Sequence, residues 1–228
     1  MNNLEQVLHK HRNEFHQIVK FNAANEKLLH FNFTDANAEL TGETIADTEL
    51  FSTYVNQQLK HNKAEYGIGG YSENRKLYRR SKMFDGEEAR SIHLGVDIWG
   101  PAGTAVSAAL GGMVHSFANN DNFGDYGATI VLLHQLDTVA FHTIYGHLSL
   151  KDIDHLREGD YITRGEIVGH FGPPAENGNW PPHLHFQIID DMQELKGDYP
   201  GVCKPSQSEF YLANCPDADL ILNMMKYV

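Results

Sequence analysis

A mainly β chain is predicted: an antiparallel β-sandwich core, preceded by a helical segment and followed by an irregular tail. Three observations lead there. From about residue 90, short β-rich runs recur between Gly, Pro, Asn and Asp: HLGVDIWG, TAVSAALGGMVHSF, GATIVLLHQ, TVAFHTIYGHL, DYITRGEIVGHFG and HLHFQII. Short strands so spaced build antiparallel sandwiches or barrels rather than βαβ units. Before residue 65 the apolar residues follow a helical period instead, and from residue 196 prolines punctuate the chain. The expected division is a helical segment over 1–65, a β domain over 66–195 and a tail over 196–228 packing on the core.

Taken in order, residues 1–20 place Leu4, Val7, Leu8, Phe15, Ile18 and Val19 near one stripe, which predicts an amphipathic helix. LLHFNFT (Leu28–Thr34) alternates as a short strand does. A second helix is expected behind an N-cap at Asp47 or Thr48, with Leu50, Phe51, Tyr54, Val55 and Leu59 on its apolar side. GDYITRGEIVG reads as a tight hairpin, and the tail from Lys196 as an irregular surface wrap.

Composition narrows the function classes. The formal net charge is −12 in 228 residues, against nucleic acid or an anionic membrane as main partner, since those need clustered Lys and Arg. The one basic stretch, Arg75–Lys82, reads as a solvated face. No apolar run approaches the roughly 20 residues of a membrane span. The first residues lack the apolar h-region of a signal peptide. As the sequence stands the expected location is cytoplasmic, with an extracytoplasmic one only if an export signal is missing. Cys203 and Cys215 are the only cysteines and read as two reduced thiols.

The chemistry lies among the 14 histidines. Successive strand side chains alternate between faces. In HLHFQII, Leu184, Phe186 and Ile188 take the core face, and His183, His185 and Gln187 the other. In HLGVDIW, Leu94, Val96 and Ile98 are apolar, while His93, Gly95 and Asp97 lie opposite, with Gly95 leaving room beside the backbone. His-x-x-x-Asp and His-x-His on one side of a sheet suit a metal. A catalytic zinc takes three protein ligands and keeps a fourth position for water. These four groups are one too many for such a site, and spacing does not say whether His183 or His185 is the surplus one. His142 and His147 fall on opposite faces of their run, so one of the two points at the cavity.

The ordered set IHLGVDIWGPAGTAVSAALGGMV, YGATIVLLH, TIYGHLS, GDYITRGEIVGHFG and PPHLHFQI resembles the lysostaphin/LytM-type zinc endopeptidases, over roughly residues 90–190. The resemblance implies a β-sandwich with a groove over one sheet, and a hydrolase binding one zinc ion per chain. It implies His93, Asp97 and His185 as metal ligands and His147 and His183 as catalytic histidines, without saying which is the general base. The implied reaction is attack of a metal-activated water on a peptide carbonyl. Implied substrates are peptides or peptidoglycan fragments containing Gly or D-amino acids. The alternative is a non-catalytic metal-binding module that retains the fold. The N-terminal segment, with an apolar face to bury, is a candidate cover for the groove.

Overall fold

The N-terminal stripe forms a shorter helix than its period suggests. In the computed structural model, which describes residues 3–228, α1 (Asn3–His11) buries Leu4, Val7 and Leu8. The chain then runs without helix from Phe15 to Val19, because its backbone bonds elsewhere: His16 N–H donates to Ala109 O (2.8 Å) and Ser107 N–H to Ile18 O (2.7 Å). Tertiary pairing there outcompetes helix propensity. A short strand, β1 (Leu28–Phe31), precedes α2 (Gly42–Ala46) and α3 (Thr48–Asn62). The Asp47 carboxylate caps α3 by accepting from Leu50 N–H at 2.8 Å. β2 (Tyr66–Gly69) then returns parallel to β1, and α2–α3 supply the crossover that parallel pairing requires.

The following strands are β3 (Ile92–His93), β4 (Val96–Trp99), β5 (Ala105–Ser107), β6 (Gly112–Asn120), β7 (Gly127–Leu136), β8 (Val139–Leu148), β9 (Tyr161–Ile162), β10 (Ile167–His170), β11 (His183–Ile189) and β12 (Val202–Cys203). The chain closes with α4 (Ser208–Asn214) and α5 (Asp219–Leu222). The main sheet has eight strands in the order β1-β2-β4-β11-β8-β7-β6-β9; β10-β5 and β12-β3 form two-stranded sheets. The fold is therefore mainly β as expected, but the sheet is mixed, with β1–β2 as its parallel pair.

Two local expectations fail for tertiary reasons. GDYITRGEIVG contains the turn, with Glu166 N–H donating to Thr163 O and Gly165 at φ 82°, but not the hairpin. Its two arms pair with different partners, β9 with β6 and β10 with β5. The tail is also more ordered than its prolines suggest. It contributes β12 beside β3, carries α4 and α5, and buries Tyr199, Val202, Cys203 and Cys215. Both cysteines are free thiols.

The sheet is covered on both faces. Val96 and Ile98 of β4 and Leu184, Phe186 and Ile188 of β11 join one core with α1 and α5 residues. The opposite face is closed by two further clusters, one around Phe33, Phe51, Trp99 and Trp180, the other around Leu94, Ile144, Ile189 and Tyr199. Every residue of β11 is buried. The face assigned to His183, His185 and Gln187 is thus a second interior rather than a solvated surface. Among the described residues no helix is long and apolar enough to cross a membrane.

Candidate active site

Strand register brings the expected metal ligands together. His185 of β11 stands directly opposite Asp97 of β4, so their side chains share a face. His93 reaches the same point although the alternation breaks at Leu94–Gly95, between β3 and β4, which turns Leu94 into a different cluster from Val96. The room left by Gly95 is filled by the His185 ring: a Cβ there would lie 2.7 Å from His185 Cε1. Asp97 Oδ1 lies 3.2 Å from His93 Nε2 and 3.0 Å from His185 Nδ1, and the two ring nitrogens are 3.1 Å apart.

The outer nitrogens decide where the protons are. His93 Nδ1 faces the Gly70 carbonyl at 3.1 Å. A carbonyl only accepts, so Nδ1 carries the proton and Nε2 presents a lone pair. His185 Nε2 meets Gln187 Oε1 at 2.8 Å and the Tyr126 hydroxyl at 3.3 Å, which leaves Nδ1 as its inward lone pair. A carboxylate oxygen and two imidazole lone pairs thus converge with no hydrogen between them. That donor set fits a divalent cation of the zinc type, with the outer hydrogen bonds orienting its ligands.

Electrostatics favour the same state. Burial, then the Arg75 guanidinium, pushes the His93 imidazole down to about 4. Although burial opposes it, the neighbouring His93 and Arg75 hold Asp97 well below the ordinary carboxylate range. Arg75 is fully buried, donates from Nη1 to Asp97 Oδ2, and pairs through Nε with Glu73 at 2.7 Å. The second carboxylate oxygen of Asp97 is thereby engaged and Oδ1 is left facing the histidines. The reading of Arg75–Lys82 as a solvated face holds for Arg79 and Lys82, which are exposed, and fails for the rest. Arg75, Leu77 and Tyr78 are interior, and Arg80 lies over the rings of Phe123 and Trp180 at 4.8 and 4.5 Å.

His147 and His183 stand beside this triad. Their ring centroids are 4.1 Å apart, and with Asp97 and His185 they line one cavity of about 110 Å³. His147 Nδ1–H donates to Asn177 O (2.9 Å) and His183 Nδ1–H to Pro181 O (2.8 Å), so both present Nε2 lone pairs. Burial lowers His183 to about 4 and takes His147 well below its ordinary value, the neighbouring histidines adding to the second shift. Both are neutral bases at physiological pH. His183 is also stacked on Trp99, centroids 3.8 Å apart at 10°.

Alternation alone would have chosen His142. Phe141 and Tyr145 of β8 face the first core, which by parity puts His147 with them. His147 instead has φ 63°, where the register of β8 against β7 shifts. That left-handed residue turns the side chain to the cavity, while His142 packs edge-on against His115. Three participants had escaped notice: Arg75, hidden in a basic run; Tyr126; and Gln187, whose parity matched the site but whose role depends on distant partners. The N-terminal segment does not cover the cavity, because none of residues 3–65 lines it. It stands behind the wall, with Phe51 against Trp180 (6.4 Å) and Phe33 against Trp99 (5.3 Å).

Known proteins share sequence and fold features with part of the chain. No curated protein matches the chain. Residues 91–196 match the model of peptidase family M23. Among solved structures, a zinc containing peptidase from Vibrio cholerae is similar at 26% identity, over 43% of this chain and 27% of that one, with a TM-score of 0.34. Csd3 from Helicobacter pylori is 23% identical over 55% of this chain and 32% of that one, with a TM-score of 0.34. The chain thus spans about a third or less of these two. The catalytic domain of lysostaphin from Staphylococcus simulans is 22% identical over 70% of this chain and 96% of that domain, with a TM-score of 0.39. Residues 91–196, somewhat under half of the chain, are thus similar to the peptidase domains of family M23.

Proposed function

We propose that this protein is a zinc-dependent endopeptidase that cleaves peptides of the peptidoglycan type, rich in Gly or D-amino acids. The observation that carries the reading is the meeting of three proton-free donors, His93 Nε2, Asp97 Oδ1 and His185 Nδ1, beside two neutral imidazoles in one cavity. Lewis acidity is what a divalent cation supplies in such a site: it acidifies water and polarises a carbonyl.

The chain's own residues account for the rest. His147 and His183 each have a free Nε2, so either accepts a proton from the attacking water and returns it to the leaving amine. Once protonated, the same group stabilises charge developing on the carbonyl oxygen. Trp99 and the Pro181 carbonyl fix the His183 ring, and the Asn177 carbonyl fixes His147.

Metal analysis of the purified protein, paired with cleavage assays on Gly-rich and D-amino-acid-containing peptides, tests the reading. His93→Ala and His185→Ala are expected to lose stoichiometric zinc. His147→Ala and His183→Ala are expected to keep zinc and lose roughly 10²–10⁴-fold in kcat. Stoichiometric zinc with no cleavage across a broad peptide panel would leave a metal-binding module and remove the peptidase assignment.

A further inference from the structure

Gln187 stands two residues beyond His185 on the same face of β11 and has no solvent exposure. Its amide is held from outside the family domain. Its Nε2 donates to the Pro200 carbonyl at 3.2 Å and to Cys215 Sγ at 3.2 Å, both in the C-terminal segment. Because a carbonyl cannot donate, the amide nitrogen must face Pro200, and the amide oxygen is left for His185. That oxygen accepts from His185 Nε2–H at 2.8 Å, so the ring's lone pair sits on Nδ1, 3.0 Å from Asp97 Oδ1.

Without this acceptor the ring has a competing state. With its proton on Nδ1, His185 would donate to Asp97 and satisfy that carboxylate internally. The inward lone pair would disappear, and with it one of the three donors. We infer that Gln187 is a positioning residue that sets the His185 tautomer, and that the C-terminal segment sets Gln187. The same segment also braces His93, since β12 pairs Val202 with His93, and Leu94 N–H donates to Gly201 O at 2.9 Å. Residues beyond 196, which the family model does not cover, thereby become part of the site.

This inference rests on the metal reading above, and its test separates the two. The ¹⁵N chemical shifts of the His185 ring in metal-free protein report the tautomer, and chelator competition reports zinc affinity. Wild type should show Nε2–H. Gln187→Met, similar in volume but without an acceptor, should move the ring toward Nδ1–H and weaken zinc binding roughly 10- to 100-fold. Gln187→Glu keeps an acceptor for His185 Nε2–H and should hold affinity within about threefold of wild type. Cys215→Ala removes one of two restraints and should weaken zinc only a few-fold. Should Gln187→Met not fold, the wild-type spectrum and the Glu variant still decide. An Nδ1–H His185 in wild type, or unchanged tautomer and affinity in Gln187→Met, overturns the inference. A wild type with the Nε2–H tautomer but no zinc uptake overturns the metal reading instead and leaves the Gln187 assignment standing.

Discussion

Five side chains make the site, and they differ in how they came to be there. Asp97 and His185 share a face by strand alternation and register; His93 joins them across a break in that alternation, and the choice of His185 over His183 as ligand came from the resemblance. His147 was legible only through the resemblance, since its left-handed φ of 63° reverses the face that alternation assigns. No pattern of types along a sequence encodes such a reversal. Arg75 was misread, because a guanidinium in a basic run looks solvated until the fold places Asp97 and Glu73 around it. Its removal has a definite cost. Arg75→Met should destabilise the metal-free protein by about 3 kcal/mol in urea unfolding, the scale of a buried ion pair that loses one partner. A change below about 1 kcal/mol would mean that water reaches this cluster.

At the scale of elements, the sequence was most reliable where short-range rules suffice. α3 begins where its N-cap predicted, and Asp47→Ala should cost about 1 kcal/mol in thermal or chemical unfolding, with no effect on zinc content. The second half of the first helix and the β9–β10 hairpin failed because their backbone groups found longer-range partners, which no local propensity records. The tail failed for a related reason. Val202 and Cys203 form a strand because β3 offers an edge to pair with, not because their own sequence demands one. Segments that look peripheral along the chain therefore hold the site from two sides, the N-terminal aromatics behind Trp99 and Trp180 and the tail beneath Gln187.

For the whole molecule, the mainly β class was readable from turn residues and run lengths, and the doubly covered sheet was not. Burial on both faces leaves polar groups inside that must stay uncharged, and stability should depend on pH accordingly. His134 lies outside the site, accepts from the Thr143 hydroxyl at 2.7 Å, donates to Gly111 O, and is pushed by burial down to about 4. Its unfolded value is 6.5, so between these limits the unfolded chain binds the extra proton. The stabilisation is complete above pH 6.5 and is lost as pH falls toward 4. Between pH 7 and 5 this histidine alone should remove about 2 kcal/mol. Urea titrations of wild type and His134→Gln at both pH values check it: the variant should show the shallower slope, and equal slopes would refute the assignment.

The place of β11 has a consequence for how the molecule is made. It lies between β4 and β8 in the sheet, yet is synthesised after both. Until residue 189 has emerged, those two strands each present an open edge at the middle of the sheet, the kind of edge on which chains aggregate. The same strand delivers His183 and His185. A nascent chain thus carries three of the five site residues and an unsealed sheet; one insertion supplies the other two and closes the gap, and the tail that braces them follows last.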